Sequence, residues 1–291
     1  MEARRVFIVG LAWVGLAAMP AGCGGSAVGT QPATATATPE ATPRPTLRAV
    51  ATETSPVDGM VTVYVPAGTF QMGSLAGIGD DNEQPQHEVY LDAYWIDQTE
   101  VTNRMYARCV ADGACPPPED GSSDTRPSYY GNPAYDNYPV IHVLYASAQA
   151  YCEWAGRRLP TEAEWERAAR GEDGWIYPWG DEAPTCDLAN FEGCLRDTWE
   201  AGGAPAGASP YGALDMAGNV WEFVGSRCFS YPYDASDGRE DLMGGGPRIM
   251  RGGSWYNDPE DLRAANRGSY HPNYAYALTN IGFRCARDAS P

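Results

Sequence analysis

The stretch AYCEWAGRRLPTEAEWERAARG, residues 150–171, carries the clearest local instructions in this 291-residue chain. Thr161 stands three residues ahead of Glu164, the spacing of a capping box. The threonine hydroxyl accepts from the backbone amide of the glutamate, whose carboxylate reaches back to the threonine N–H. The helix so started can run to Arg170, and Gly171 can end it. Residues 146–155 form a second helical stretch just upstream.

Working outward from that pair, Thr102 can cap another helix that runs to about Ala111. Residues 61–65 and 87–96 mix Val, Tyr and Trp between Gly, Pro and Asp, as strands do. After Gly171 no helical period returns; turns alternate with short aromatic segments. Gly 33 and Pro 24 favour turns, and Tyr 18 with Trp 9 against Phe 6 suits half-buried rings beside hydrogen-bond partners. A few early helices and irregular late β structure predict an α+β, loop-rich fold without internal repeats.

The charge count excludes several functions. All 20 basic residues are arginine, against 38 acids, for a net charge of −18. Without lysine there is no Schiff-base chemistry and no P-loop or kinase-type phosphate grip. So large a negative charge also argues against nucleic acid as a partner, because that affinity comes mainly from cations displacing counterions.

The N-terminus reads as an address. Arg4 and Arg5 precede an apolar run, then Ala21, Gly22 and Cys23. Residues 1–22 have a signal-peptide layout, and Cys23 resembles a bacterial lipoprotein processing site despite Pro20 where leucine is usual. Simple secretion is the competing reading. Residues 23–58, rich in Thr, Pro and Ala, have almost nothing to bury and read as an extended tether. Residues 1–58 hold four arginines and four acids, so the whole −18 falls on the domain at 59–291. The expected location is extracytoplasmic, on the membrane through an N-terminal lipid.

An oxidising compartment lets cysteines pair. Cys109 and Cys115 flank a short Gly-containing turn and can close a small loop, as can Cys186 and Cys194. Metal binding competes with that reading, but neither pair has the two-residue spacing of a zinc knuckle. His87, His142 and His271 are too dispersed for a metal triad.

The order of motifs says more than periodicity does. VPAGTFQMGS (65–74), YWIDQTEVTN (94–103), the 150–171 stretch, YPWGDE (177–182), YGALDMAGNVWE (211–222), RGGSW (251–255) and NIGFRCAR (280–287) follow one another. Together they resemble the formylglycine-generating-enzyme, or sulfatase-modifying-factor, family. That resemblance implies an irregular C-type-lectin-like α+β fold. The family's best-known members oxidise a cysteine of client sulfatases to formylglycine with copper(I) and oxygen. It also implies a bridge from Cys152 to Cys285, worth roughly 4 to 5 kcal/mol in the chain-entropy model. Cys228 is then left over, a weak candidate for a reactive thiol and otherwise a buried small hydrophobe.

Copper(I) is soft and wants thiolates, which the family's oxidases supply shortly after the RGGS[WY] phrase. Here residues 255–267 contain no cysteine, so copper chemistry is not expected. The resemblance further implies a calcium site at Asp215, the carbonyls of Gly218 and Val220, and Glu222, with Asp215 merely capping a turn as the alternative. A second site would involve Asn190 and Phe191. A ligand groove would use Ser254, Trp255, Asn257, Asp258, Arg263, Asn266 and Arg267, though loop capping and ion pairing would explain the same residues. Two readings follow. One is a non-oxidase binding or accessory module, a pseudoenzyme, for a peptide, protein or glycan ligand. The other is an enzyme, either an oxidase with a displaced thiol or another reaction in the same groove.

Overall fold

A computed structural model describes residues 51–271 and 278–289. The signal-peptide reading, Cys23 and most of the expected tether lie outside the described residues. The folded region reaches further back than residue 59: β1 (Thr52–Thr54) is a strand and Asp58 is buried. That segment belongs to the domain because β1 pairs antiparallel with β2 (Val61–Val65), an interaction its Thr/Glu composition does not announce.

The stretch expected as one strand at 87–96 is two, because the chain turns a corner at Asp92 and Ala93. β3 (Gly68–Met72) pairs with β4 (His87–Leu91) as a two-stranded ribbon. β5 (Tyr94–Asp97) instead enters a four-stranded sheet, where it lies between β2 and the C-terminal β10 (Ala286–Asp288). The second four-stranded sheet has the order β8 (Gly268–Tyr270), β7 (Arg248–Arg251), β6 (Trp221–Arg227), β9 (Ile281–Phe283). Its β6–β9 pair is parallel, so partners far apart in sequence create strands that no local pattern marks.

The helices fall where their start signals lie. Thr102 caps α1 (Asn103–Ala111), accepting from Met105 N. α2 (Tyr145–Trp154) follows, and α3 (Glu162–Arg170) has the reciprocal capping box of Thr161 and Glu164 and ends at Gly171. Every residue of α3 is buried. Trp165 packs among Val63, Val65, Ile96, Val224 and Ile249 from the two larger sheets. The helix's charges are internally paired: Glu166 with Arg170 and Arg251, and Glu162 with Arg267 at 2.7 Å. Buried ions are tolerable only when their remaining hydrogen-bonding groups are met, and Arg251 also donates to the carbonyls of Ala264, Ala265 and Asn266.

Three disulfides form, Cys109–Cys115, Cys152–Cys285 and Cys186–Cys194, so the metal reading of these cysteines gives way. The second ties α2 to the chain between β9 and β10 across 133 residues. Beside it sits a buried clasp in which Arg157 pairs with Asp58 and lies 3.3 Å from Asp97. Tyr151 donates its hydroxyl to Asp58 at 2.8 Å.

Candidate functional site

The loop after β7 is the expected groove segment, and hydrogen bonds within the protein occupy most of its polar groups. Ser254 Oγ donates to Asn257 Oδ1 at 2.6 Å, and Trp221 Nε1 donates to the same oxygen at 2.9 Å. Asn257 Nδ2 donates to Asp261 Oδ2, and Asn266 Nδ2 to Asp261 Oδ1. Arg263 reaches Glu83 at 2.8 Å. Arg267 is buried over the ring of Tyr231, 4.0 Å from its centroid, and pairs with Glu162. These contacts are those of the loop-capping and ion-pairing alternative, and they make the segment rigid.

What the loop offers outward is different. Tyr256 is 69% exposed and packs edge-on against Trp255, which is nearly covered. Asp258 and Glu260 are exposed beside it. Glu192 N donates to Asn257 O at 3.0 Å, bringing a neighbouring loop alongside. The Glu192 and Asp258 carboxyls meet there, and their hydrogen-bond contact holds the Glu192 carboxyl above its usual range. No ion pair involves Glu192, Asp258 or Glu260 among the described residues.

No thiol joins this crown. Cys285 is bridged to Cys152, and Cys228 is the free cysteine among the described residues, half-buried near Arg267 and Glu162. Burial pushes its thiol up, against the pull of Arg267, which disfavours the nucleophilic thiolate.

The loop expected to hold calcium curls tightly. Asp215, Gly218 and Asn219 all have positive φ, at 54°, 83° and 60°. A Cβ on Gly218 would fall 2.3 Å from Asn190 O, so the close approach of the two loops requires glycine. Asn190 serves as a brace: Nδ2 donates to Asp197 O, while Oδ1 accepts from Leu195 N and its carbonyl from Asn219 N. Phe191 packs on Trp179 and Leu262. These roles supply no ligand set of their own.

Glu222, at the far end of the motif, is buried and gripped on both oxygens. Arg284 donates Nε to Oε2 and Nη2 to Oε1, each at 2.6 Å, and Trp165 Nε1 adds a bond of 2.7 Å to Oε2. The other Arg284 donors go to the carbonyls of Asp97, Gln98 and Leu214. Asp215 Oδ2 accepts from Gly202 N.

A further carboxylate stands here that the sequence reading left without a role. Glu100, in the TEVTN phrase, is fully buried; Oε1 accepts from Asn219 Nδ2 at 2.9 Å, and its carboxyl is in hydrogen-bond contact with that of Asp215. Burial and the facing Asp215 push its carboxyl well above the ordinary range, and burial raises that of Asp215 too. Three buried carboxylates thus stand against one guanidinium. A proton shared between Asp215 and Glu100 meets part of that surplus, and a hard divalent cation bound by oxygen would meet it too. No three His, Cys, Asp or Glu side chains among the described residues form a ready-made cage, so backbone oxygens would have to contribute.

One antiparallel and one mixed four-stranded sheet beside a buried charged helix, with three bridges and a hydrogen-bonded loop crown, define an irregular, loop-rich α+β domain. The chain belongs to the formylglycine-generating-enzyme, or sulfatase-modifying-factor, family: the sulfatase-modifying factor enzyme 1-like domain matches residues 48–289. It is 36% identical over 282 residues to the formylglycine-generating enzyme of Streptomyces coelicolor, covering 78% of this chain and 89% of that one. It is 32% identical over 278 residues to the inactive C-alpha-formylglycine-generating enzyme 2 of Bos taurus, covering 78% and 88%. The structure of PvdO from Pseudomonas aeruginosa superposes with a TM-score of 0.64 at 26% identity, covering 82% of this chain and 98% of that one. The chain spans only 37% of a serine/threonine-protein kinase pkn1 from Chlamydia caviae and 58% of a hercynine oxygenase from Mycolicibacterium smegmatis. The family therefore includes proteins named for oxidation and one named inactive.

Proposed function

We propose that this protein is a non-oxidase binding or accessory module, held outside the cytoplasm by a lipid on Cys23 and a Thr/Pro/Ala-rich tether. The observation that carries the reading is the lattice of Asn257, Asp261 and Asn266 in the segment where the family's oxidases place two thiolates. Amides and carboxylates are hard donors and a poor home for copper(I). The rigid crown presents Tyr256, Asp258, Glu192 and Glu260 to a peptide, protein or glycan ligand, with an aromatic face for stacking and carboxylates to accept hydrogen bonds. Calcium held at the Asp215 loop would stabilise that presentation, supplying positive charge against the buried carboxylates.

A copper(I) titration against a competing chelator, run beside a peptide-oxidation assay with a cysteine substrate, tests the non-oxidase reading. The expected results are no tight copper binding and no formylglycine. Tight binding lost in Cys228→Ser, with formylglycine formed by the parent protein, would establish the oxidase instead. For the anchor, Cys23→Ser is expected to move the protein from the membrane fraction to the soluble one. Retention in the membrane would remove that part of the reading.

A further inference from the structure

His87 opens β4 with both ring nitrogens in use and in opposite roles. Nδ1 lies 2.8 Å from the carbonyl oxygen of Pro85, which can only accept, so this nitrogen carries the ring hydrogen. Nε2 accepts the backbone N–H of Tyr233 at 2.7 Å. The pair of contacts selects one neutral tautomer, because an imidazolium donates from both nitrogens and can accept at neither. The ring is half-buried and stands edge-on to Tyr231, with centroids 4.9 Å apart.

The chain held this way is residues 229–237, between β6 and β7. Among the described residues, Tyr233 has the one backbone N–H of this segment that donates outside it. Arg239 binds the segment to itself, donating to the carbonyls of Ser230 and Pro232 and lying over the Tyr233 ring at 4.8 Å. Its seat on the core is Tyr231, buried with Phe70, Met72, Val89 and Ala163, and Arg267 adds a bond to the Phe229 carbonyl. The charges around the imidazole are already committed. Glu162 and Glu166 of α3 accept from the Tyr231 hydroxyl and pair with Arg267 and Arg251. Glu240 accepts from Tyr233 and Ser226, and burial holds its carboxyl above the ordinary range. Asp234 is tied to Ser236, Asp237 to Arg239, and Glu88, the next residue of β4, is exposed.

We propose that His87 is an acid-released latch. Neutral, it holds residues 229–237 against β4; protonated, it lets the segment lift and uncovers Tyr231 and the Glu162–Arg267 pair beneath it. Protonation turns an acceptor into a donor, so two N–H groups meet across a gap of 2.7 Å, and the segment relieves that contact by moving away. Arg267, which lies 4.0 Å from the Tyr231 ring centroid, ends the loop that carries the crown, so lifting the segment also frees one end of that loop.

The imidazole nitrogens of His87 and the backbone amide of Tyr233 are followed by NMR in the isotope-labelled protein from about pH 8 to about pH 5, the range in which histidine changes charge. Parent, His87→Gln and His87→Phe proteins are compared. Glutamine offers an oxygen acceptor that takes up no proton in this range, and phenylalanine offers no acceptor. The parent is expected to hold its neutral ring hydrogen on Nδ1. Its Tyr233 amide exchange, corrected for the intrinsic effect of pH, is expected to become at least about tenfold faster as the ring protonates. His87→Gln is expected to stay protected throughout, and His87→Phe to exchange fast at both ends. The parent and glutamine profiles decide the matter even where phenylalanine unfolds the ribbon. An acid response of equal size in His87→Gln would assign the opening to Glu240 or another carboxyl and overturn the latch. A Tyr233 amide whose protection ignores the His87 titration, or a neutral ring hydrogen found on Nε2, would overturn it as well.

Discussion

Arg284 and Glu222 meet through two parallel hydrogen bonds of 2.6 Å, with both side chains inaccessible to solvent. One comes from the GFR phrase near the C-terminus and the other from the WE phrase, so the pair joins β6 to the segment after β9. Replacing Arg284 with Met leaves Glu222 unpaired beside Glu100 and Asp215. The expected loss of unfolding free energy is roughly 3 to 5 kcal/mol, read by urea denaturation. A loss below about 1 kcal/mol, the range of exposed pairs, would show that the pair carries no such load.

The bridge from Cys152 to Cys285 closes a loop of 133 residues and that from Cys186 to Cys194 one of 8. In the chain-entropy model these are worth roughly 5 and 2.5 kcal/mol. Paired Cys→Ala variants compared by denaturant unfolding are expected to rank in that order. Equal losses would place the stabilisation in native-state packing.

The clasp at Asp58, Arg157 and Asp97 makes stability depend on pH. Burial lifts the Asp97 carboxyl from 3.8 to about 6, an effect that Arg157 only partly offsets. The folded protein therefore holds that proton more tightly than the unfolded chain. This contribution is complete below pH 3.8 and is lost as pH rises to about 6. Asp58 has the opposite sign: burial opposes its ionisation, but Arg157 and its hydrogen bonds hold it below its ordinary value, so its contribution is lost on acidification. Asp97→Asn is expected to remove a fall on the order of 3 kcal/mol between those two pH values, measured as the difference between variant and parent. Parallel profiles for the two proteins would refute it.

Gly218 and Gly113 both have positive φ, but only Gly218 has a neighbour in the way, Asn190 O at 2.3 Å. Gly113→Ala is expected to cost about 1 kcal/mol for its backbone conformation alone. Gly218→Ala should cost clearly more and loosen both loops, visible as faster amide exchange at residues 190 and 219. Equal melting shifts in the two variants would contradict the close approach.

On the crown, exposure separates binding from stability. Tyr256→Ala and Asp258→Asn are expected to change unfolding free energy by no more than about 0.5 kcal/mol while abolishing capture of a ligand found by peptide and glycan screening. Arg267→Ala, which empties a buried place over Tyr231, is expected to destabilise by several kcal/mol, roughly as a broken buried pair does. Ligand binding that survives both crown substitutions would move the proposed surface elsewhere.

Local signals did well wherever the structure obeys local rules. Thr102, Thr161 and Gly171 bound their helices because caps satisfy backbone groups within a turn of the chain. The groove was legible only as a segment. Residue types at 254–267 told where the loop is, but Arg263 and Arg267 turn inward because Glu83 and Glu162, distant in sequence, stand opposite them. Glu100 was legible as part of a motif and had no assigned role, since its significance lies in its buried contact with Asp215, a residue over a hundred positions away.

The sequence by itself determined the family, the capped helices and the absence of cysteine from the segment after RGGSW, and it marked the two short cysteine loops that the structure closes. Motif order and chain separation are properties of the string. Tertiary structure alone decided which charges are consumed and which remain. Twenty arginines and thirty-eight acids can be counted, but a carboxylate's chemistry depends on the donors within about 3 Å of it, and those come from strands and loops that fold in from elsewhere. Folding spends Glu222 on Arg284, leaves Glu100 facing Asp215, and turns Tyr256 and Asp258 to the solvent.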